Sequence, residues 1–296
     1  MSYPFTPEQM CLLSLARKTW HRRASVKRHH LSFGEESITE TMLMDLADRF
    51  PGDVVIQPFN KVHEGRYGAD WAWAFQSADG TLTLPMLVQA KLLNLQDTEY
   101  PEIKRLVGRH QPPVRQIDLF IQTAESWGWP AIYAFYNHLD DSSRVPDICG
   151  SLALAGAAPM PESWGISIAD AYNVRAALDD QTFDTHQLHS IAFHCLLCGG
   201  GSGRRGSQGS PEVALRALHG LRGALPFPDV DSDKRPLPDA PFLDTPAIFH
   251  AVRAAASADE PTIREARVQA LREEFPQLAG VVILRDEPRT ERDSKP

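Results

Sequence analysis

An α/β fold is what this sequence predicts, and three observations carry that expectation. Residues 71–76 (Trp-Ala-Trp-Ala-Phe-Gln) alternate large and small side chains with the period of two that separates the faces of a strand. Ile38, Met42, Leu43, Leu46, Ala47 and Phe50 recur at three-to-four spacing, the stripe of an amphipathic helix. Between turn residues, apolar runs and helical stretches follow one another as helix, three strands, helix, strand.

The elements can be justified in order. Pro7 and Glu8 suit a first helical turn, and Met10, Leu13, Leu15 and Trp20 give a loose stripe, so a helix is expected over 7–23 with an irregular basic segment after it. The next helix starts near Phe33-Gly34-Glu35-Glu36 and stops at Pro51-Gly52. Residues 54–60, 69–76 and 81–93 read as strands, the last two joined by a turn at Ala78-Asp79-Gly80. A charged loop over 97–114 leads to a helix at 115–127 and a strand at 131–136. Beyond Asn137, helices are expected at 167–179, 185–198 and 261–275, with one further strand at 280–285. Gly199 to Gly209 lacks the Gly-Lys-Ser or Gly-Lys-Thr ending of a phosphate-binding loop and reads as a flexible linker. The domain plan is a basic helical segment (1–33), a core (34–137), a mainly helical extension (138–222), a Pro-rich linker with a helix and strand (223–286), and a disordered tail (287–296).

Composition excludes several classes of protein. The chain has 296 residues, of which 43% are hydrophobic, enough to bury a good core. No stretch approaches the ~20 apolar residues of a membrane span, and the N-terminus lacks a signal peptide's basic start and apolar middle. No membrane partner and a cytoplasmic location are therefore expected. Four cysteines (Cys11, Cys149, Cys195, Cys198) are too few for a disulfide framework in a chain of this length. Cys195 and Cys198 have the spacing of a zinc ligand pair, but no second Cys-x-x-Cys or close His-x₃-His accompanies them. On a helix such cysteines serve as small buried side chains, so zinc is not expected. The net charge of −8 argues against coating by nucleic acid, yet residues 17–30 hold Arg22, Arg23, Lys27 and Arg28 and no acid. With Trp20 as a stacking surface, these four are candidate nucleic-acid contacts.

The candidate chemistry lies in Gly68-Ala69-Asp70 and Gln89-Ala90-Lys91. Side chains alternate along a strand, so Gln89 and Lys91 share one face, and Asp70 at the start of the preceding strand can converge on them. Phosphodiester cleavage needs hard oxygen ligands for Mg²⁺, a way to orient water, and positive charge on the phosphorane as it forms. Asp70, the Gln89 carboxamide and the Ala90 carbonyl are the candidate metal ligands, with Lys91 on the water or phosphate. Glu36 and Glu40 share one face of the preceding helix. Glu40 is preferred as a further ligand, since it sits about three turns before the Pro51-Gly52 break. Glu64 is a third carboxylate shortly before Asp70.

This order of elements, with a helix Glu, then Asp, then Gln-x-Lys, resembles the PD-(D/E)XK nuclease superfamily over residues 34–137. The Gln variant looks most like the Mrr-type restriction nucleases. The resemblance implies a restriction-endonuclease-like core of order α-β-β-β-α-β, a mixed sheet flanked by helices, Mg²⁺ (or Mn²⁺ as substitute), and Lys91 as the catalytic lysine. Gln116 occupies a place comparable to the Gln that follows on the next helix in RecB-type members, while Phe120 stands where those carry Tyr. A metal-dependent nuclease acting on DNA, in restriction or defence against foreign DNA, is the function so implied. The other expectation is an inactive nuclease-fold module that binds DNA or a protein, because Gln89 removes one negative charge from the metal site. A homodimer stays open.

Overall fold

The computed structural model describes residues 5–59, 70–107, 113–146, 149, 158–198, 210–223 and 237–286. The expectations for the linker at 199–209, the tail at 287–296, Glu64 and most of the Pro-rich stretch at 223–236 lie outside the described residues.

Helix α1 runs over Pro7–His29, six residues further than the apolar stripe suggests. Thr6 caps its start by accepting from the Gln9 amide at 3.2 Å. Its end is set by His30 in the left-handed region (φ 52) and a bond from Leu31 N to Val26 O at 3.0 Å. Lys27, Arg28 and His29 form the last turn, where cations suit the negative end of the helix dipole. The segment expected to be irregular is therefore helical. Helix α2 follows at Glu35–Arg49.

Strands β1 (Val54–Pro58), β2 (Trp71–Gln76) and β3 (Thr83–Leu92) come next. A short ladder of β4 (Leu106–Val107) and β5 (Val114–Arg115) leads into α3 (Gln116–Trp127) and β6 (Ala131–Tyr136). After β6 the chain departs from the expected helices. Ile166–Asp170 is strand β7, and only Ala171–Ala176 is helical (α4), with Asp170 as its N-cap. Ile166 and Ile168 bury on one face and Ala169 on the other, a period of two too short to tell from helix in the sequence. Likewise 185–198 is not one helix but the end of α5 (Phe183–Gln187), strand β8 (Ser190–Ala192) and a 3₁₀ turn over Phe193–Leu197. Helices α6 (Ser210–Gly223), α7 (Ala247–Ala256) and α8 (Pro261–Glu274) precede the last strand, β9 (Gly280–Arg285).

Seven strands form one mixed sheet in the order β1-β9-β2-β3-β6-β7-β8. Strand β9 enters between β1 and β2, antiparallel to the first and parallel to the second. β2 and β3 are an antiparallel hairpin, and β3 pairs in parallel with β6. The sheet thus reaches well outside residues 34–137, and the following segments extend it as well as covering it.

Alternation along the strands feeds two cores. Trp73, Phe75, Met86, Ala90, Ile132 and Val282 face α1, α2 and α6. Ala72, Ala74, Leu87, Tyr133, Phe135 and Val281 face α3, α4, α7 and α8. The result is a three-layer α/β/α protein, each helix burying one apolar stripe.

Candidate functional site

Strand β3 brings Gln89 and Lys91 onto the α3 side of the sheet, where apolar neighbours Leu87 and Leu93 belong to the core. Both are buried, at 0% and 4% exposure, which is unusual for a lysine without a purpose. Lys91 Nζ donates to Gln116 Oε1 at 3.2 Å, and Gln116 is the first residue of α3. Asp70, at the entrance to β2, accepts from the Ala90 amide through Oδ2 at 2.8 Å. The pairing of Trp71 with Val88 brings the beginning of β2 against the end of β3 and so delivers that carboxylate. Asp70, Gln89, Ala90, Lys91 and Gln116 are thereby gathered in one place.

The helix carboxylate at this place is Glu35 rather than the expected Glu40. It lies in the first turn of α2 and shares its electrostatic surroundings with Lys91 and Asp70. Burial pushes its carboxyl up to about 8; Lys91 pulls the other way, while Asp70, Glu102 and Glu36 add to the rise. Glu40, preferred from the sequence, is exposed, as is Glu36. Five residues along a helix turn a side chain by roughly 140°, which takes Glu40 off the face that Glu35 uses.

Tyr133 is the second residue not singled out in advance. It stands opposite Gln89 in the parallel ladder, and its ring meets that of Phe120 edge-on at 5.5 Å. Burial raises its phenol well above the ordinary value, with Asp70, Glu35 and Asp118 adding to the effect. Among the described residues its hydroxyl has no hydrogen-bond partner, and neither does either polar atom of the Gln89 carboxamide. Buried polar groups are nearly always satisfied, which sets these three unpaired atoms apart on the face that also carries Lys91.

Most of the basic run of α1 is paired with other parts of the chain, though Arg23 alone among its cations is buried. Arg23 is buried and donates to the Leu93 carbonyl, so it cannot meet a phosphate as expected. Lys27 reaches Leu95 O at 2.9 Å and Asp140 at 2.5 Å. Arg22 lies 3.8 Å from Asp45, and Lys18 3.0 Å from the same residue. Arg28 is exposed. Trp20 is buried against His138 and offers no stacking face.

Fold and site together define a three-layer α/β protein with an acid-lysine cluster at the ends of its central strands. The chain belongs to DUF6615, a family of unknown function, whose profile matches residues 8–290. Comparison with curated proteins and with solved structures finds no match. Among the described residues, no helix is long and apolar enough to cross a membrane.

Proposed function

We propose that this protein is a metal-dependent nuclease that hydrolyses phosphodiester bonds of nucleic acid, DNA foremost, on a restriction-endonuclease-like core. The observation that carries the reading is that Asp70, held by the Ala90 amide, and Glu35 share electrostatic surroundings with the buried Lys91, on the strand that also carries the buried, unpartnered Gln89 carboxamide.

The residues present fit a hard divalent cation. Asp70, Glu35 and the Gln89 carboxamide oxygen supply oxygen donors, with the Ala90 peptide held against Asp70. Asp70, Glu102 and Glu36 each act on the Glu35 carboxyl, and a bound cation would add to Lys91 in offsetting that repulsion. Bound there, Mg²⁺ or Mn²⁺ would polarise the scissile phosphate and acidify a water.

The chain's own groups do the rest. Lys91, steadied by Gln116, offers its ammonium to the charge that develops on the phosphate. Glu35, its carboxyl pushed up to about 8 mainly by burial, would be ionised by a bound cation and so serve as one of its ligands. Restriction or defence against foreign DNA is the biological role proposed by analogy of fold alone. A pure DNA-binding module is less supported, since Arg23 is buried against the Leu93 carbonyl and Lys27 is held by the Leu95 carbonyl and Asp140.

The test is incubation of plasmid and linear DNA with the full chain, with and without Mg²⁺ or Mn²⁺. Cleavage that requires the cation is expected. No cleavage under any of these conditions, with salt-dependent binding that survives Asp70→Ala, supports the binding module instead.

A further inference from the structure

Elements that contribute nothing to the Asp70 cluster gather a second set of ligating side chains. Cys149, from the connection after β6, meets His194 and Cys195 of the 3₁₀ turn and Cys198 just beyond it. One ligand atom from each of the four lies within 4.8 Å of all the others. The Cys149 sulfur is 3.1 Å and the Cys195 sulfur 3.6 Å from His194 Nε2. In tetrahedral zinc, with Zn–S near 2.3 Å and Zn–N near 2.0–2.1 Å, a sulfur and a nitrogen ligand stand about 3.6 Å apart and two sulfurs about 3.8 Å.

The Cys-x-x-Cys pair does not sit on an α-helix: Cys195 is in a 3₁₀ turn and Cys198 is extended at its end. The missing partners are Cys149, distant in sequence, and His194, adjacent to Cys195. Packing alone does not explain the arrangement, because small buried thiols need only bring carbon and sulfur against apolar neighbours. Here four donor atoms point at one another. His194 is fully buried and turns Nε2 toward two sulfurs. Gln9, itself buried on α1, donates to the Cys198 sulfur at 3.0 Å, the outer hydrogen bond that commonly orients a thiolate ligand.

We propose that Cys149, His194, Cys195 and Cys198 form a structural zinc site. Three sulfurs and an imidazole select zinc over the hard cations suited to carboxylates. Four protein ligands close the coordination sphere, which makes the site a clamp rather than a catalytic centre. It ties the chain between β6 and β7 to the turn after β8, and through Gln9 to α1.

The full chain, purified without chelator, is expected to carry one zinc per molecule by elemental analysis. Chelation should lower its unfolding temperature and open three further thiols to a thiol reagent. Co²⁺ in place of Zn²⁺ should give the visible absorption of a tetrahedral ion with thiolate charge transfer. Cys149→Ser and Cys195→Ser should lose the metal, whereas Cys11→Ser and Asp70→Ala should keep it. Should the serine variants fail to fold, the zinc content and cobalt spectrum of the wild type decide. Wild type that holds only trace zinc after exposure to Zn²⁺, or a Cys149→Ser, Cys195→Ser double variant that retains a full equivalent, overturns the proposal.

Discussion

Lys91 and Glu35 show how much a single side chain owes to its surroundings. Glu35, in the first turn of α2, has burial and carboxylate neighbours that raise its pKa and Lys91 that lowers it. A different pair, His186 and His189, responds to pH through burial alone or nearly so. His186 is held down at about 3, by burial and then by His189, and His189 at about 4 by burial. Their rings meet at 3.0 Å between Nδ1 and Nε2. Unfolded, each imidazole titrates near 6.5, so on acidification the unfolded chain binds protons that the folded chain refuses. Their contribution to stability is complete above pH ~6.5 and is lost as pH falls toward the folded values, by about 1.4 kcal/mol per pH unit for each ring. The urea midpoint should therefore drop between pH 7.5 and pH 5, and His189→Gln should reduce that drop; an unchanged midpoint would contradict the assignment. At this scale the sequence was partly legible. Asp70, Gln89 and Lys91 were readable because strand alternation and a hairpin suffice to place them. Glu35 and Tyr133 were not, because their roles depend on where a helix starts against the sheet and which residue faces Gln89 across a parallel ladder.

Individual elements are positioned by contacts that leave no room for variation. Gly165 precedes β7 where α1 crosses it, and a Cβ added there would lie 2.0 Å from Ala16 O and 2.7 Å from Trp20 N. Both obstacles are backbone, so neither can swing aside. Gly165→Ala should cost about 1–3 kcal/mol or more, the range of an overpacked core. Gly220→Ala, inside α6 with open space around it, should instead stabilise by up to about 1 kcal/mol. Denaturant midpoints of the two variants check both signs, and a wild-type midpoint for Gly165→Ala would refute the close approach of α1. Strong local patterns explain which elements the sequence announced: the Trp-Ala-Trp-Ala run of β2, the stripe of α2, the apolar block of β6. β7 and β8 escaped because three to five residues cannot establish a period, and their partners are remote in sequence. α1 outran its apolar stripe because its last turns are held by Arg23 and Lys27 reaching carbonyls at 93 and 95.

Across the whole molecule, the insertion of β9 between β1 and β2 makes segments more than 200 residues apart interdependent. Among the described residues, β9 is the only strand paired along β1, from Val54 with Leu284 to Pro58 with Gly280. Residues 34–137, which the sequence sets apart as a core, should therefore not fold alone. Expressed by themselves, or in a chain ending before residue 280, they should show no cooperative unfolding; a sharp transition would contradict the interleaved sheet. That interleaving also holds β2 in place, and with it Asp70 at the site. The proposed chemistry is tested most directly by the rate of Mg²⁺-dependent DNA cleavage across four variants that keep the fold. Lys91→Ala and Asp70→Ala should each fall by at least about 10²-fold, as loss of one charge-stabilising or ligating group does. Glu35→Gln should fall with them, while Glu40→Gln should stay near wild type. Equal rates in wild type and Lys91→Ala, or a loss at Glu40 without one at Glu35, would contradict a metal-dependent site built on Asp70, Glu35 and Lys91.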